Sequence, residues 1–184
     1  MRKNTASYPS LRNKSVFITG GVGGIGASLV EHFAAQGTRV SFIDIDDENA
    51  KNLMSTLDDD ITYKHCNLLD IRDLQSSISE FEKSSGESID ILVNNAGKDG
   101  RHSESEIDTD DWDTCLNINL RHQFFATQAV HDGMASAGGG SIINLSSIVV
   151  SMAAGNMAAY VTAKAGIQGM IRALARDMVK TKYG

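Results

Sequence analysis

The sequence predicts an α/β fold, an open and doubly wound parallel sheet within a single domain, on three observations. Short apolar runs alternate with amphipathic stretches along the chain. The first run, Ser15-Val16-Phe17-Ile18-Thr19, empties into five glycines within residues 20–26 and then into a helical pattern. The run at 89–93, Ile89-Asp90-Ile91-Leu92-Val93, is nearly continuously apolar, as a strand covered by helices on both faces should be.

The elements follow in order. Residues 1–14 read as an irregular arm with the only proline, Pro9. After the first strand and its glycine loop, Ile25, Leu29 and Phe33 repeat every fourth residue, the stripe of a helix ending near Gly37. A second strand spans 39–44. Ala50, Leu53, Met54 and Leu57 form a helical stripe behind a cap at Asp46 or Asp47, and 61–66 reads as a third strand. Asp70 is placed to cap a helix carrying Ile71, Leu74, Ile78 and Phe81 inward. The strand at 89–93 leads into Asn94-Asn95-Ala96-Gly97 and a polar loop at 98–108. A long helix at 110–137, with Trp112, Leu116, Leu120 and Phe124 four apart, ends at Gly138-Gly139-Gly140. A fifth strand covers 141–147. The last helix runs from about Ala158 to Gly184, with Ile167, Met170, Ile171, Leu174 and Met178 on one face.

Composition narrows the function classes. With 184 residues, 41% apolar and 22% charged, the chain suits one soluble globular domain spanning 1–184. A net charge of −6 without any Lys/Arg run argues against nucleic acid or an anionic membrane as partner. Met1-Arg2-Lys3 is followed by polar residues instead of an apolar export segment, and no run is long enough to cross a membrane, so a cytoplasmic location is expected. Cys66 and Cys115 lack metal or redox spacing and read as small buried hydrophobes. The five histidines show no ligand spacing, and no metal is expected.

The glycine loop is the first candidate site. Gly20, Gly24 and Gly26 let the backbone turn and approach a ligand, and the following helix offers unpaired N–H groups to a pyrophosphate. Eighteen residues beyond Gly26, the second strand ends in Asp44, where a Rossmann-type strand places the acceptor for adenosine ribose hydroxyls. A carboxylate there repels a 2′-phosphate, and neither Gly21 nor Ile45, Asp46 and Asp47 supplies a cation for one. NAD is therefore favoured over NADP.

Tyr160 and Lys164 stand four apart on one helix, where they can share a ligand. A phenol of ordinary pKa about 10 is a poor base at neutral pH, and a neighbouring ammonium favours its phenolate. Ser147, thirteen residues before Tyr160 at the end of the fifth strand, can bind the reacting oxygen.

Thr19-Gly20-x-x-x-Gly24-x-Gly26, Asn94-Asn95-Ala96-Gly97, Ser147 and Tyr160-x-x-x-Lys164 together resemble the short-chain dehydrogenase/reductase family over nearly the whole chain. The resemblance implies Tyr160 as acid/base and Ser147 as the residue positioning substrate oxygen. It implies Lys164 as the group that holds the nicotinamide ribose and lowers the Tyr160 pKa. Asn119 matches the family's helix asparagine that holds a relay water. Cofactor contacts are implied at Gly20, Gly24, Ile25, Gly26, Asp44, Asn67, Leu68, Asn94, Ala96, Gly97, Tyr160 and Lys164, with Asn67 standing where many members carry an aspartate. Within the family, Tyr8-Pro9-Ser10-Leu11, residues 94–102 and Asn119-Leu120-Arg121-His122 resemble bacterial NAD-dependent aldose 1-dehydrogenases, which oxidise pentoses such as D-xylose to lactones. Arg101 and His102 then belong either to the sugar site or to a solvated loop. The apolar stretch 148–157 instead resembles 3-oxoacyl reductases, so a 3-oxoacyl or hydroxysteroid-type reductase is the alternative enzyme. A non-catalytic nucleotide-binding or interaction module is the alternative of another class. Family members continue beyond the Tyr/Lys helix with a strand, a Pro-Gly turn, a substrate lid and a final strand. The resemblance therefore implies a C-terminally incomplete domain, lacking the last strands, with an exposed edge on the fifth strand. It also implies a homo-oligomer, a tetramer assembled through the helices at 110–137 and around Tyr160.

Overall fold

The computed structural model describes residues 6–57, 61–152 and 154–180. Five strands, β1 (Ser15–Thr19), β2 (Arg39–Asp44), β3 (Ile61–His65), β4 (Ile91–Asn94) and β5 (Ser141–Asn144), form one sheet in the order β3-β2-β1-β4-β5. Every pairing is parallel, with Thr19 opposite Ile43 on one side and Asn94 on the other. The strand order reverses between β1 and β4, and a crevice opens there beyond the carboxyl ends of the strands.

Alternation along the strands feeds two cores. Val16, Ile18, Val40, Phe42 and Val93 pack on one face with Val30 of α1 (Gly24–Ala34) and Ala50 of α2 (Asp47–Met54). Phe17, Ile43 and Leu92 pack on the other with Leu74 and Ile78 of α3 (Ile71–Ser85) and Ala126 and Val130 of α5 (His122–Ser136). Each of the Val, Leu, Ile and Phe side chains among them contributes about 1.5–3 kcal/mol on burial. The β-strands therefore carry the doubly wound arrangement that their apolar runs predict.

Carboxylate caps fix where helices start. Asp46 accepts the Asn49 N–H at 3.0 Å, and Asp70 accepts those of Arg72 and Asp73 at 2.9 and 3.3 Å. Asp108 accepts the Asp111 N–H at 2.8 Å, so α4 (Thr109–Leu116) begins one residue earlier than expected. The long helix is also not uniform: a π-helical stretch, Asn117–Arg121, joins α4 to α5.

Several expectations need correction. Trp112, Leu116, Leu120 and Phe124 are not the buried stripe; Asn119, His122, Gln123, Ala126, Thr127, Val130 and Met134 are. Ile25 is 63% exposed beside the glycine loop, and Val30 takes the core position instead. β4 is Ile91–Asn94 instead of 89–93, β3 stops at His65, and β5 stops at Asn144. A short helix, α6 (Val149–Met152), falls within a stretch to which no element was assigned. α7 (Ala158–Lys180) buries Ala159, Ala163, Lys164 and Ile167, while Ile171 is partly exposed; the expected helical residues 181–184 lie outside the described residues. β5 forms the edge of the sheet, with Ile143 45% exposed.

Candidate active site

The floor of the crevice is stitched by side chains of β1 and the segment after β4. The Thr19 hydroxyl accepts the backbone N–H groups of Asn95 and Ala96 at 3.2 and 3.1 Å, and the Asn95 amide donates to the carbonyls of Thr19 and Gly20 at 3.1 and 2.7 Å. Gly20 turns at φ +71° with its missing Cβ 2.7 Å from Ala96 Cα, and a Cβ on Gly26 would sit 1.8 Å from the Gly20 carbonyl. Only glycine fits either place. α1 starts with no side chain capping it and no acidic residue in its first turn; the Gly26 N–H turns back to the Gly23 carbonyl at 2.9 Å, which leaves the N–H groups of Gly24 and Ile25 as those open to an anion.

Above this floor lies a cleft of about 610 Å³. Of the predicted cofactor residues, Gly20, Ile25, Asp44, Asn67, Leu68, Ala96 and Gly97 line it. Asp44 ends β2 with one carboxylate oxygen on the Val22 N–H at 3.2 Å and the other on Ile45 N at 2.8 Å and Asp46 N at 3.3 Å. Tyr63 donates to the Asp44 carbonyl at 3.2 Å and to the Asp47 carboxylate at 2.6 Å, tying the β2 end to α2. Asn67 spends its side-chain oxygen on the Leu69 N–H at 3.1 Å. Gly24, at φ +49° with open space where a Cβ would stand, and Gly26, packed on the Gly20 carbonyl, shape the loop without lining the cleft.

Asn94 departs from expectation. It is wholly buried, outside the cleft lining, and its amide donates to Asn144 Oδ1 at 2.9 Å and the Gln123 carbonyl at 3.3 Å. It joins β4 to β5 and α5, while Asn95, next along the chain, lines the cleft.

The second group of predicted residues meets under Gly97. A Cβ on Gly97 would lie 2.9 Å from Asn119 Oδ1 and 3.2 Å from Lys164 Nζ. Asn119 is fully buried in the π stretch; its amide donates to the carbonyls of Lys98 and Cys115 at 2.9 and 3.0 Å. Lys164 Nζ donates to the Leu145 carbonyl at 3.0 Å and lies 5.7 Å from the centroid of the Tyr160 ring. Burial pushes the Lys164 ammonium below its ordinary pKa, with Cys115 opposing the shift, and pushes the Cys115 thiol up. The Ser146 hydroxyl donates to the Lys164 carbonyl at 2.8 Å, so α7 is tied twice to the segment after β5. Ser147 follows directly on that segment, its Oγ accepting the Val149 N–H at 3.4 Å. No hydrogen bond joins Ser147 to Tyr160 among the described residues.

Tyr160 lines a smaller pocket of about 80 Å³, next to Asn119, Cys115, Asp111, His102 and Asn156. Lys98 and Ile118 border both this pocket and the cleft, so the two are neighbours. His102 lines the pocket while Arg101 does not. Sequence reasoning missed Val22, Asn95, Lys98 and Ile118. Asn95 and Lys98 carried a signal, since both stand inside the stretch 94–102 already singled out.

A family model described as short chain dehydrogenase matches residues 14–182. The chain belongs to the short-chain dehydrogenase family. It is 44% identical over 178 residues to the D-xylose 1-dehydrogenase of Caulobacter vibrioides, covering 95% of this chain and 70% of that protein. It is 40% identical over 174 residues to a probable galactose dehydrogenase of Rhizobium meliloti, covering 93% and 68%. The solved aldohexose dehydrogenase of Thermoplasma acidophilum, in ligand-free form, superposes with a TM-score of 0.84 at 28% identity over 93% of this chain and 64% of that one. The chain thus spans roughly two thirds of the length of these short-chain dehydrogenases. Membership in the family makes a nicotinamide nucleotide the cofactor, and the glycine loop fits it: Gly20 and Gly26 pack where a Cβ would strike Ala96 and the Gly20 carbonyl, so the loop folds tightly and brings Gly20, Gly23 and Ile25 to the cleft lining. Among the described residues no helix is long and apolar enough to cross a membrane.

Proposed function

We propose that the chain is the catalytic portion of an NAD-dependent aldose dehydrogenase that oxidises a pentose at C1 to its lactone. The observation that carries the reading is the shared border at Lys98 and Ile118, which sets the Tyr160 pocket directly against the cleft that Asp44 closes. Gly20, Ile25, Asp44, Ala96 and Gly97 would hold the dinucleotide, with Asn67 and Leu68 beside its adenosine half. Asp44 supports NAD over NADP, because its carboxylate would face a 2′-phosphate with Ile45, Asp46 and Asp47 offering no cation. When bound, a nicotinamide would supply the hydride acceptor for the sugar carbon.

The remaining work falls to this chain's own side chains. Ser147 orients the reacting hydroxyl, and Tyr160 takes its proton as the carbonyl forms. Lys164, held by Leu145 O next to the Tyr160 ring, supplies the cation for the ribose and the phenol. Asn119 acts through Lys98, whose backbone it clamps on both polar groups. Lys98, His102, Asp111 and Asn156 give the pocket a polar wall suited to a polyol. The relatives' names, D-xylose 1-dehydrogenase and probable galactose dehydrogenase, support an aldose as substrate. Two free thiols, Cys66 and Cys115, suit a reducing cytoplasm, and the partly exposed Phe124 face of the long helix suits a tetramer.

A second reading, a 3-oxoacyl or hydroxysteroid-type reductase, draws support from Ile148 and Met152, 74% and 63% exposed on and before α6. The test is NADH formation with NAD and a panel of aldoses, secondary alcohols and 3-hydroxyacyl thioesters, with Tyr160→Phe as control. Turnover on pentoses that falls at least a hundredfold in Tyr160→Phe supports the aldose reading. Turnover confined to the thioesters supports the second. A chain that binds NADH and turns over nothing is an incomplete enzyme or a binding module.

A further inference from the structure

Asn156 has no role in the proton chemistry above, yet three observations meet on it. It is one of two non-glycine residues with positive φ among the described residues, at +58°. Its carbonyl accepts the His102 backbone N–H at 2.9 Å, which fastens the loop after β4 to the segment entering α7. It also lines the Tyr160 pocket, on a wall shared with Lys98, His102 and Asp111.

Left-handed backbone is cheapest for glycine, and asparagine is among the few other residues that adopt it as single positions. Glycine would serve the turn and the His102 bond equally well, so the side chain is the feature that distinguishes this position. A carboxamide carries two donors and one acceptor oxygen, the complement of a hydroxyl group that both donates and accepts. We infer that Asn156 is a specificity-determining residue. Its backbone fastens the His102 loop over the pocket, and its carboxamide bonds a hydroxyl of the sugar other than the one being oxidised. This rests on the aldose reading above.

The test is a binding cycle on protein saturated with NADH, read by saturation-transfer NMR. D-xylose and its 2-, 3- and 4-deoxy analogues are titrated into the wild type, Asn156→Gly and Asn156→Ala, and NADH affinity is measured alongside. Asn156→Gly keeps the +58° turn and the His102 bond but lacks the carboxamide; it should bind D-xylose about tenfold more weakly, the loss of one hydrogen bond. One deoxy analogue should be weakened in the wild type yet lose nothing further in Asn156→Gly, which identifies the hydroxyl that is read. Asn156→Ala should weaken all four sugars further, because alanine lacks the short polar side chain that lets asparagine hold a left-handed φ, and the loop loosens. The inference is overturned if Asn156→Gly binds D-xylose as the wild type does, or loses the sugar and all its deoxy analogues by the same factor. A wild type that binds NADH but no aldose overturns the aldose reading itself and this inference with it.

Discussion

Asn119 holds both backbone polar groups of Lys98: its Oδ1 accepts the Lys98 N–H at 3.0 Å and its amide donates to the Lys98 carbonyl at 2.9 Å. Lys98 borders both the cleft and the Tyr160 pocket, so one buried carboxamide sets the wall between two compartments. Asn119→Ala leaves two backbone groups without partners and should cost about 1–3 kcal/mol of stability. On the proposed role of placing substrate through Lys98, kcat/KM for an aldose should fall more steeply than NADH affinity. Urea unfolding together with steady-state kinetics checks both parts, and equal losses in the two affinities would argue for plain destabilisation.

Gly26 and Gly23 stand in the same loop but should respond differently to alanine. A Cβ on Gly26 meets the Gly20 carbonyl at 1.8 Å, backbone against backbone, whereas a Cβ on Gly23 meets nothing within 4 Å. Gly26→Ala should lower stability by about 1–3 kcal/mol and displace the strand-to-helix turn proposed to receive the pyrophosphate. Gly23→Ala, at an ordinary φ of −121°, should unfold within about 0.5 kcal/mol of the wild type. Thermal melts of the two variants decide it.

At the other end of the cleft, the Asp44 carboxylate accepts from Val22, Ile45 and Asp46, so it is both a ligand candidate and the staple of the β2 turn. Asp44→Ser should weaken NADH binding about 10- to 100-fold, the loss of hydrogen bonds to a charged acceptor. NADPH binding should fall less or improve, since the repulsion of its 2′-phosphate is gone. Fluorescence titration of both nucleotides measures the ratio; an unchanged ratio would remove Asp44 from the ribose site.

Lys164 is 3% exposed, and burial lowers its pKa relative to the unfolded chain. Between the folded pKa and the unfolded value near 10.5, the unfolded chain binds more protons, so stability rises with pH through that window. Below the window the cost of burying the charge applies in full. Lys164→Met removes the titration but also leaves the Leu145 carbonyl unpaired, which sets a pH-independent offset. The stability difference, wild type minus variant, should therefore increase as pH rises toward 10.5, by at most about 1.4 kcal/mol per unit. A flat difference across that range counts against a buried ammonium.

Much of this architecture was legible locally. The strand-loop-helix of residues 15–34, Asp44 at a strand end and the caps at Asp46 and Asp70 each depend on a few neighbouring residues, and each stands where the sequence places it. What escaped depends on registers that local patterns do not set. The π stretch at Asn117–Arg121 adds a residue to one turn and rotates the helix beyond it. The stripe of Trp112, Leu116, Leu120 and Phe124 thereby gives way to a buried face holding His122, Gln123 and Thr127. Asn94 and Asn95 are adjacent in an extended segment, where successive side chains point to opposite sides; composition alone does not say which faces the ligand. Lys98 is positioned by Asn119, 21 residues away, a contact that only the folded chain reveals.

His122 is the strongest consequence of that rotated face. It is 0% exposed, and neither ring nitrogen makes a hydrogen bond of ordinary geometry; the Ile118 backbone one turn back is close enough only to act weakly on the ring. Burial, with the Lys164 charge adding to it and the Ile118 carbonyl opposing it, pushes its pKa down to about 3 from the ordinary 6.5. Above pH 6.5 the ring is neutral in both folded and unfolded chains, and folding gains or loses nothing by its titration. As pH falls from 6.5 toward 3, the unfolded chain takes up a proton that the folded chain refuses, so stability declines by up to about 1.4 kcal/mol per unit. His122→Leu removes that proton uptake and two unpaired ring nitrogens together. The variant should lose less stability than the wild type between pH 6.5 and 4, with the gap widening as pH falls. Urea unfolding at half-unit intervals measures the gap. Parallel curves would mean that His122 is protonated in the folded protein and that water or a partner group reaches its ring.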